Sequence, residues 1–125
     1  MDERKNWGEL LEFLHSNSGR TKTTRGNISF HFAATIVYCS SPKTVTGKAA
    51  VMVETNGWQA GRITLLDARD FPTEKFHQDF RPKYQEMRYD RLAGTLVITG
   101  TSEKMGDYDV TITPLAPLDG NCGAR

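Results

Sequence analysis

Residues 28–38 read I-S-F-H-F-A-A-T-I-V-Y, and this stretch decides the fold. Apolar side chains stand at every second position of it: Ile28, Phe30, Phe32, Ala34, Ile36 and Tyr38. Alternate side chains of an extended chain point to the same side, whereas a helix would scatter this set around its circumference. Because burying each Ile or Phe contributes about 1.5–3 kcal/mol, the pattern predicts a long β-strand at the centre of the core.

A β-hairpin is predicted to follow this strand. The runs 45–55 and 58–67 flank the dipeptide Asn56-Gly57. Asn-Gly suits a type I′ turn because both central residues of that turn need positive φ. A two-residue turn at this dipeptide predicts a register in which Val53 faces Ala60.

The N-terminus predicts a helix. Its apolar residues recur with the spacing of one helical face: Trp7, Leu10, Leu11 and Leu14. Asn6 and Glu9 have the spacing of a capping box, which predicts Asn6 as the N-cap. The polar, basic run 20–27 is interpreted as a connection into the central strand.

A second short helix is predicted over about 72–80. Asp70 suits its N-cap, Pro72 its first turn, and Pro82 should end it. An irregular segment is expected to follow. Alternating apolar residues then predict two more strands, at 93–101 and 108–113.

These elements predict an α+β domain over residues 1–114 and a flexible tail over 115–125. The domain would hold the N-terminal helix and a five-stranded, mainly antiparallel sheet. The order of elements matches an OB-like, curved and partly open barrel with a short helix between strands 3 and 4. An open antiparallel sheet with helices on one face would give the same order.

Composition limits the classes of partner. A net charge of +1 disfavours a dedicated polyanion-binding protein. Residues 13–53, however, contain no Asp or Glu, so part of the surface is expected to be positive. Single-stranded nucleic acid is therefore one candidate partner, and its candidate contacts are Arg20, Lys22, Arg25 and Lys43.

No apolar signal segment or membrane-spanning run is evident, which predicts a cytoplasmic protein with no membrane partner. Cys39 and Cys122 form no recognisable disulfide framework and are interpreted as reduced thiols. The three histidines lack metal-ligand spacing, so we expect neither a metal nor a cofactor.

Four residues are candidates for ligand binding: His31, Thr35, Arg81 and Tyr84. The first two lie on the less apolar face of the central strand, and the others lie in an aromatic and arginine-rich segment of the kind found at interfaces. A non-catalytic module that binds a protein or a small ligand is the favoured hypothesis, and self-association through exposed strand edges is included in it. The alternatives are nucleic-acid binding and a small enzyme that uses His31, although no catalytic motif supports the latter.

Overall fold

The computed structural model describes residues 2–16, 20–24, 27–40, 43–56, 59–66, 79–103 and 106–115. Its one described helix is α1 (Glu3–Ser16), and the strands follow it along the chain. They are β1 (Arg20–Thr24), β2 (Asn27–Ser40), β3 (Lys43–Asn56), β4 (Gln59–Leu66), β5 (Asp79–Phe80), β6 (Glu86–Asp90), β7 (Thr95–Ser102) and β8 (Gly106–Pro114).

The strands form one curled, antiparallel sheet, a half-barrel. Seven of them run in the order β5-β4-β3-β2-β8-β7-β6. The eighth, β1, pairs with the first part of β2, on the same side as β8, which pairs with the later part. The α+β class is confirmed, but the predicted count of five strands is wrong.

The central strand is confirmed. In β2 the residues Phe30, Phe32, Ala34, Ile36 and Tyr38 are buried, and they alternate with half-buried or exposed neighbours. All fourteen residues of β2 pair with β3. This strand therefore holds the two halves of the sheet together.

Helix α1 packs on the concave face of the half-barrel. Leu10, Phe13 and Leu14 are fully buried there. The ring of Phe13 makes edge-to-face contacts with Phe32 of β2, at 6.0 Å between centroids, and with Tyr89 of β6, at 5.8 Å. The helix thus closes the core on the concave side, and its side chains fill the space that the curled sheet surrounds.

The same helix lies along the outer edge of β6. Asn6 Oδ1 accepts a hydrogen bond from the Met87 N–H, and Glu9 Oε1 accepts one from the Tyr89 N–H. An unpaired strand edge presents such groups to solvent. Here the side chains of α1 satisfy them in place of another strand.

Three segments differ from the predictions. Residues 20–24, interpreted as a connection, form β1, and residues 86–90, interpreted as irregular, form β6. Both are short, and each pairs with the more apolar strand that follows it in the chain, which gives them an order that their own sequences do not predict. Of the helix predicted over 72–80, Asp79 and Phe80 form strand β5 instead, and the rest of it lies outside the described residues.

Two local predictions are also wrong. Val53 faces Ile63 rather than Ala60, because Asn56 pairs with Gln59 and the register shifts between Glu54 and Asn56. The helix begins earlier than predicted, with Asp2 Oδ1 accepting a hydrogen bond from the Lys5 N–H. Asn6 is therefore not the N-cap.

The described residues contain no helix long and apolar enough to cross a membrane. Of the predicted tail, Leu115 is described, and its N–H donates to the Ala33 carbonyl at 3.0 Å. Residues 116–125 lie outside the described part of the chain.

Candidate functional site

The outer face of the sheet carries a row of polar side chains that crosses five strands. Strand pairing places these residues next to one another, in the order Thr44, Cys39, Asp109, Thr99 and Glu86. Neighbouring strands lie about 4.8 Å apart, so the row extends over roughly 19 Å. The row forms because the outward-facing position at this level of each of the five strands carries a small or an acidic residue.

A cavity of about 750 Å³ opens over this row, and we call it the outer groove. Its lining residues are Cys39, Lys43, Thr44, Glu86, Thr99, Gly100, Thr101, Asp107, Tyr108 and Asp109. The lining combines three carboxylates, three threonine hydroxyls and one ammonium group. The groove is therefore polar, with an excess of negative charge.

Some of these polar groups bond within the groove and others do not. Thr101 donates to Asp107 Oδ1 at 2.8 Å, and Thr44 donates to Cys39 Sγ at 3.7 Å. Within the described part of the chain, no hydrogen bond or ion pair engages the carboxylates of Glu86 and Asp109. These two acceptors are available to a ligand.

Gly100 and Tyr108 line the groove at the level of the backbone, because the Tyr108 ring points to the opposite, core side of the sheet and packs against Tyr38 and Phe80. A Cβ at Gly100 would lie 2.8 Å from the Tyr108 Cζ and 3.0 Å from the Gln85 Cγ, so the tyrosine occupies the space that a side chain would need. Gln85 Nε2 donates to the Tyr108 hydroxyl at 3.4 Å, and Gln85 Oε1 accepts from the Arg81 N–H at 2.7 Å. Burial raises the pKa of the Tyr108 hydroxyl, and the Gln85 hydrogen bond partly opposes that rise.

The predicted ligand-binding residues do not line this groove. His31 is exposed on β2 opposite Met52, and Thr35 lies four residues further along the same strand, opposite Lys48. Arg81 and Tyr84 lie in the turn between β5 and β6, where the Tyr84 side chain is 60% exposed. The four residues thus belong to separate parts of the surface.

The nucleic-acid candidates are also dispersed. Arg20 and Lys22 belong to β1, Arg25 lies outside the described residues, and Lys43 lines the acidic outer groove. Of the aromatic residues that could stack on bases, Phe30, Phe32 and Tyr38 are buried in the core, and Trp58 lies outside the described residues. The described residues therefore place no stacking surface beside the basic ones.

Catalytic and metal chemistry receive no support from the described side chains. Cys39 lies eight residues from His31 on one extended strand, about 26 Å at 3.3 Å per residue, so the thiol and the imidazole cannot act as a pair. No group of three or more His, Cys, Asp or Glu side chains in the described ranges could hold a metal ion.

Sequence reasoning missed most of the outer groove. The two-residue spacing of Asp107 and Asp109 places both on one face of a strand, but by itself it indicates only solvated charge at a strand end. Glu86 and Thr99 join them only through the pairing of β6, β7 and β8. Strand register between distant segments cannot be read from local spacing.

Comparison with protein-family models, with curated proteins and with solved structures finds no match to this chain. Its function is therefore argued from the geometry of its own residues.

Proposed function

We propose that this chain is a non-catalytic binding module whose ligand occupies the outer groove and carries at least two positively charged groups. The observation that carries the proposal is the pair of carboxylates, Asp109 and Glu86, that no described side chain engages. Both line the outer groove, an open cavity of about 750 Å³ on the outer face of the sheet. Convergent polar groups in a cavity fix the orientation of a bound ligand and give specificity.

The spacing of the two carboxylates defines the ligand further. They lie two strands apart, since Asp109 pairs with Thr99 and Thr99 pairs with Glu86. Two strand steps separate their Cα atoms by about 10 Å. A flexible diamine or triamine can span this distance, and the Thr99 hydroxyl between them can accept a further N–H.

The alternatives fit the geometry less well. A phosphate backbone would meet Glu86, Asp107 and Asp109 in this groove, and like charges repel. An enzyme that uses His31 would need a second reacting group beside it, and its cross-strand neighbours are Arg20 and Met52. Nucleic-acid binding and catalysis therefore remain secondary hypotheses.

Titration of the protein with spermidine, followed by amide chemical shifts, tests the proposal. We expect shifts centred on Asp109, Thr99 and Glu86 that saturate and weaken with added salt. Asp109→Asn and Glu86→Gln should each raise the Kd at least tenfold. Glu3→Gln, which removes an exposed carboxylate on α1, serves as the matched control and should leave the Kd unchanged.

Two results would reject the proposal. One is a spermidine response spread over all acidic surfaces of the protein, with Glu3→Gln as damaging as Asp109→Asn. The other is no saturable shift in the outer groove at low ionic strength, where attraction between charges is strongest.

A further inference from the structure

Strand β3 is longer than the strand that pairs with its outer side. All fourteen of its residues pair with β2, but β4 covers only the part from Ala50 to Asn56. Over residues 43–49, no strand among the described residues lies on the side of β3 away from β2. We call this segment the β3 edge.

The direction of the main-chain groups on the β3 edge follows from one hydrogen bond. The Ala33 carbonyl accepts from Leu115 N–H, on the β8 side of β2. Successive residues of a strand direct their groups to opposite sides, so those of Ala34 point toward β3. The main-chain N–H and C=O groups of its partner Ala49 therefore point toward β2.

By the same alternation, the main-chain N–H and C=O groups of Thr44, Thr46 and Lys48 point away from β2. These are six hydrogen-bonding groups along roughly 13 Å of strand. The side chains of the same three residues are exposed. The contrast with β6 is clear, because α1 covers the β6 edge with Asn6 and Glu9.

From this geometry we infer that the β3 edge is a docking site for an extended acidic peptide segment. The segment adds to the sheet as a strand, in line with β4 and beyond Leu66. Strand addition draws its affinity from main-chain hydrogen bonds and its selectivity from side chains. Here selectivity comes from Lys43 and Lys48, the charged residues of the β3 edge.

The charge of the β3 edge favours an acidic peptide over a second copy of the chain as the partner. The β3 edge lies in the acid-free stretch 13–53, and the first carboxylate along β3, Glu54, is paired with Arg62 at 2.6 Å. Pairing two β3 edges would bring four lysines into one short ladder. An acidic strand would neutralise them instead, and like charges across a sheet are destabilising.

The two surfaces share Lys43 and Thr44, but the outer groove binds through the side chains of Asp109 and Glu86, whereas the β3 edge binds through main-chain groups. The two can fail separately. Spermidine binding reports on Asp109 and Glu86, whereas strand addition reports on main-chain amides of β3.

The test uses a synthetic peptide of alternating Glu and Val, with seven residues and blocked ends. Hydrogen exchange of the Thr44, Thr46 and Lys48 amides is measured in the free protein and in the presence of the peptide. We expect fast exchange in the free protein and at least tenfold slower exchange with the peptide. A version N-methylated at alternate residues, and a version with Lys in place of Glu, should bind at least tenfold more weakly.

Two variants refine the test. Thr46→Pro removes an N–H that does not serve the β2 pairing, and proline is accepted on strand edges where its nitrogen faces solvent. This variant should fold but bind the acidic peptide at least tenfold more weakly. Lys48→Glu leaves one Lys and one Glu on the edge and should abolish the preference for the acidic over the basic peptide, which shows charge selectivity in a protein whose edge amides are intact.

Three results would overturn the inference. Slow exchange of these amides in the free protein at every concentration would mean that other residues of the same chain already occupy the edge. Protection that grows with protein concentration would identify a second copy as the partner. Equal binding of the N-methylated peptide would show that main-chain pairing is not involved.

Discussion

The Asn6 side-chain oxygen accepts a hydrogen bond from the Met87 main-chain N–H at 3.1 Å, so a helix side chain takes the place of a neighbouring strand. The amide nitrogen of Asn6 donates to the carbonyls of Pro82 and Gln85, at 3.0 and 2.9 Å. One fully buried side chain thus joins α1 to the turn before β6 and to β6 itself. This contact fixes the helix at the open side of the half-barrel.

Replacing Asn6 with Ala should lower the free energy of unfolding by about 2–4 kcal/mol, because three main-chain groups lose their partner in a buried place. Urea denaturation followed by circular dichroism measures the loss. Arg4→Ala, on the exposed side of the same helix, is the control and should change stability by less than about 0.5 kcal/mol. Equal effects of the two substitutions would show that the Asn6 contacts are not made.

The core packing of α1 leads to a second prediction. Phe13→Ala should cost about 3–5 kcal/mol, since the ring is buried and contacts both Phe32 and Tyr89. Leu92→Ala is the matched control, because Leu92 is fully exposed in the turn after β6 and should change stability little. Thermal unfolding of the two variants compares them directly. A small effect of Phe13→Ala would contradict the placement of α1 over the concave face.

The parts of the fold that could be predicted are those with a strong local period. The two-residue alternation of β2 and the helical stripe of α1 follow directly from burial of apolar side chains. Strands β1 and β6 could not be predicted, because β1 is polar throughout and its order depends on pairing with β2. Asn6 is a similar case: the capping interpretation used its neighbours in sequence, whereas its partners lie about 80 residues away.

The candidate site could be predicted only in fragments. The sequence indicates Lys43 by its positive charge and Asp107 and Asp109 by their two-residue spacing, but nothing in it indicates that the three lie in one groove. What unites them is the register of β8 with β2 and β7, and several registers are compatible with strands of similar alternation. The burial of Phe30, Phe32 and Tyr38 follows from the alternation of β2, so it could be predicted where the outer groove could not.

Two glycines should respond in opposite directions to the same substitution. Gly8 lies in α1 with open space around a potential Cβ, so Gly8→Ala should stabilise the protein by about 0.5–1 kcal/mol through helix propensity. A Cβ at Gly61 would collide with the Glu54 carbonyl oxygen and lie 3.2 Å from the Trp7 ring, so Gly61→Ala should destabilise it by about 1–3 kcal/mol. Urea midpoints compare the two. Stabilisation by both would mean that β3, β4 and α1 do not meet at Gly61.

The ion pairs at the end of β6 predict a pH effect. Arg91 donates to both carboxylate oxygens of Glu12 and contacts Glu9 at 3.3 Å. The hydrogen bond with the Arg91 guanidinium lowers the pKa of the Glu12 carboxyl below its ordinary value of 4.5. A carboxyl with a lowered folded-state pKa stabilises the fold above its unfolded pKa, and the contribution disappears as the pH falls through the folded-state pKa. The Glu12–Arg91 pair should therefore stabilise the fold above about pH 4.5 and contribute progressively less to stability below it.

Substituting Arg91 by Met removes the guanidinium that lies over the Tyr89 ring and keeps an apolar side chain in place of the Arg91 stem. In a carboxyl-carbon NMR titration, the Glu12 midpoint should move upward toward 4.5 in this variant. Lys83→Met removes a cation that lies over Tyr84 instead, so it should leave the Glu12 midpoint in place. If both variants shift Glu12 equally, the lowered pKa reflects the general positive field of the protein. If Arg91→Met alone shifts it, the Glu12–Arg91 pair joins the C-terminal half of α1 to the end of β6, as Asn6 joins its first half to the beginning.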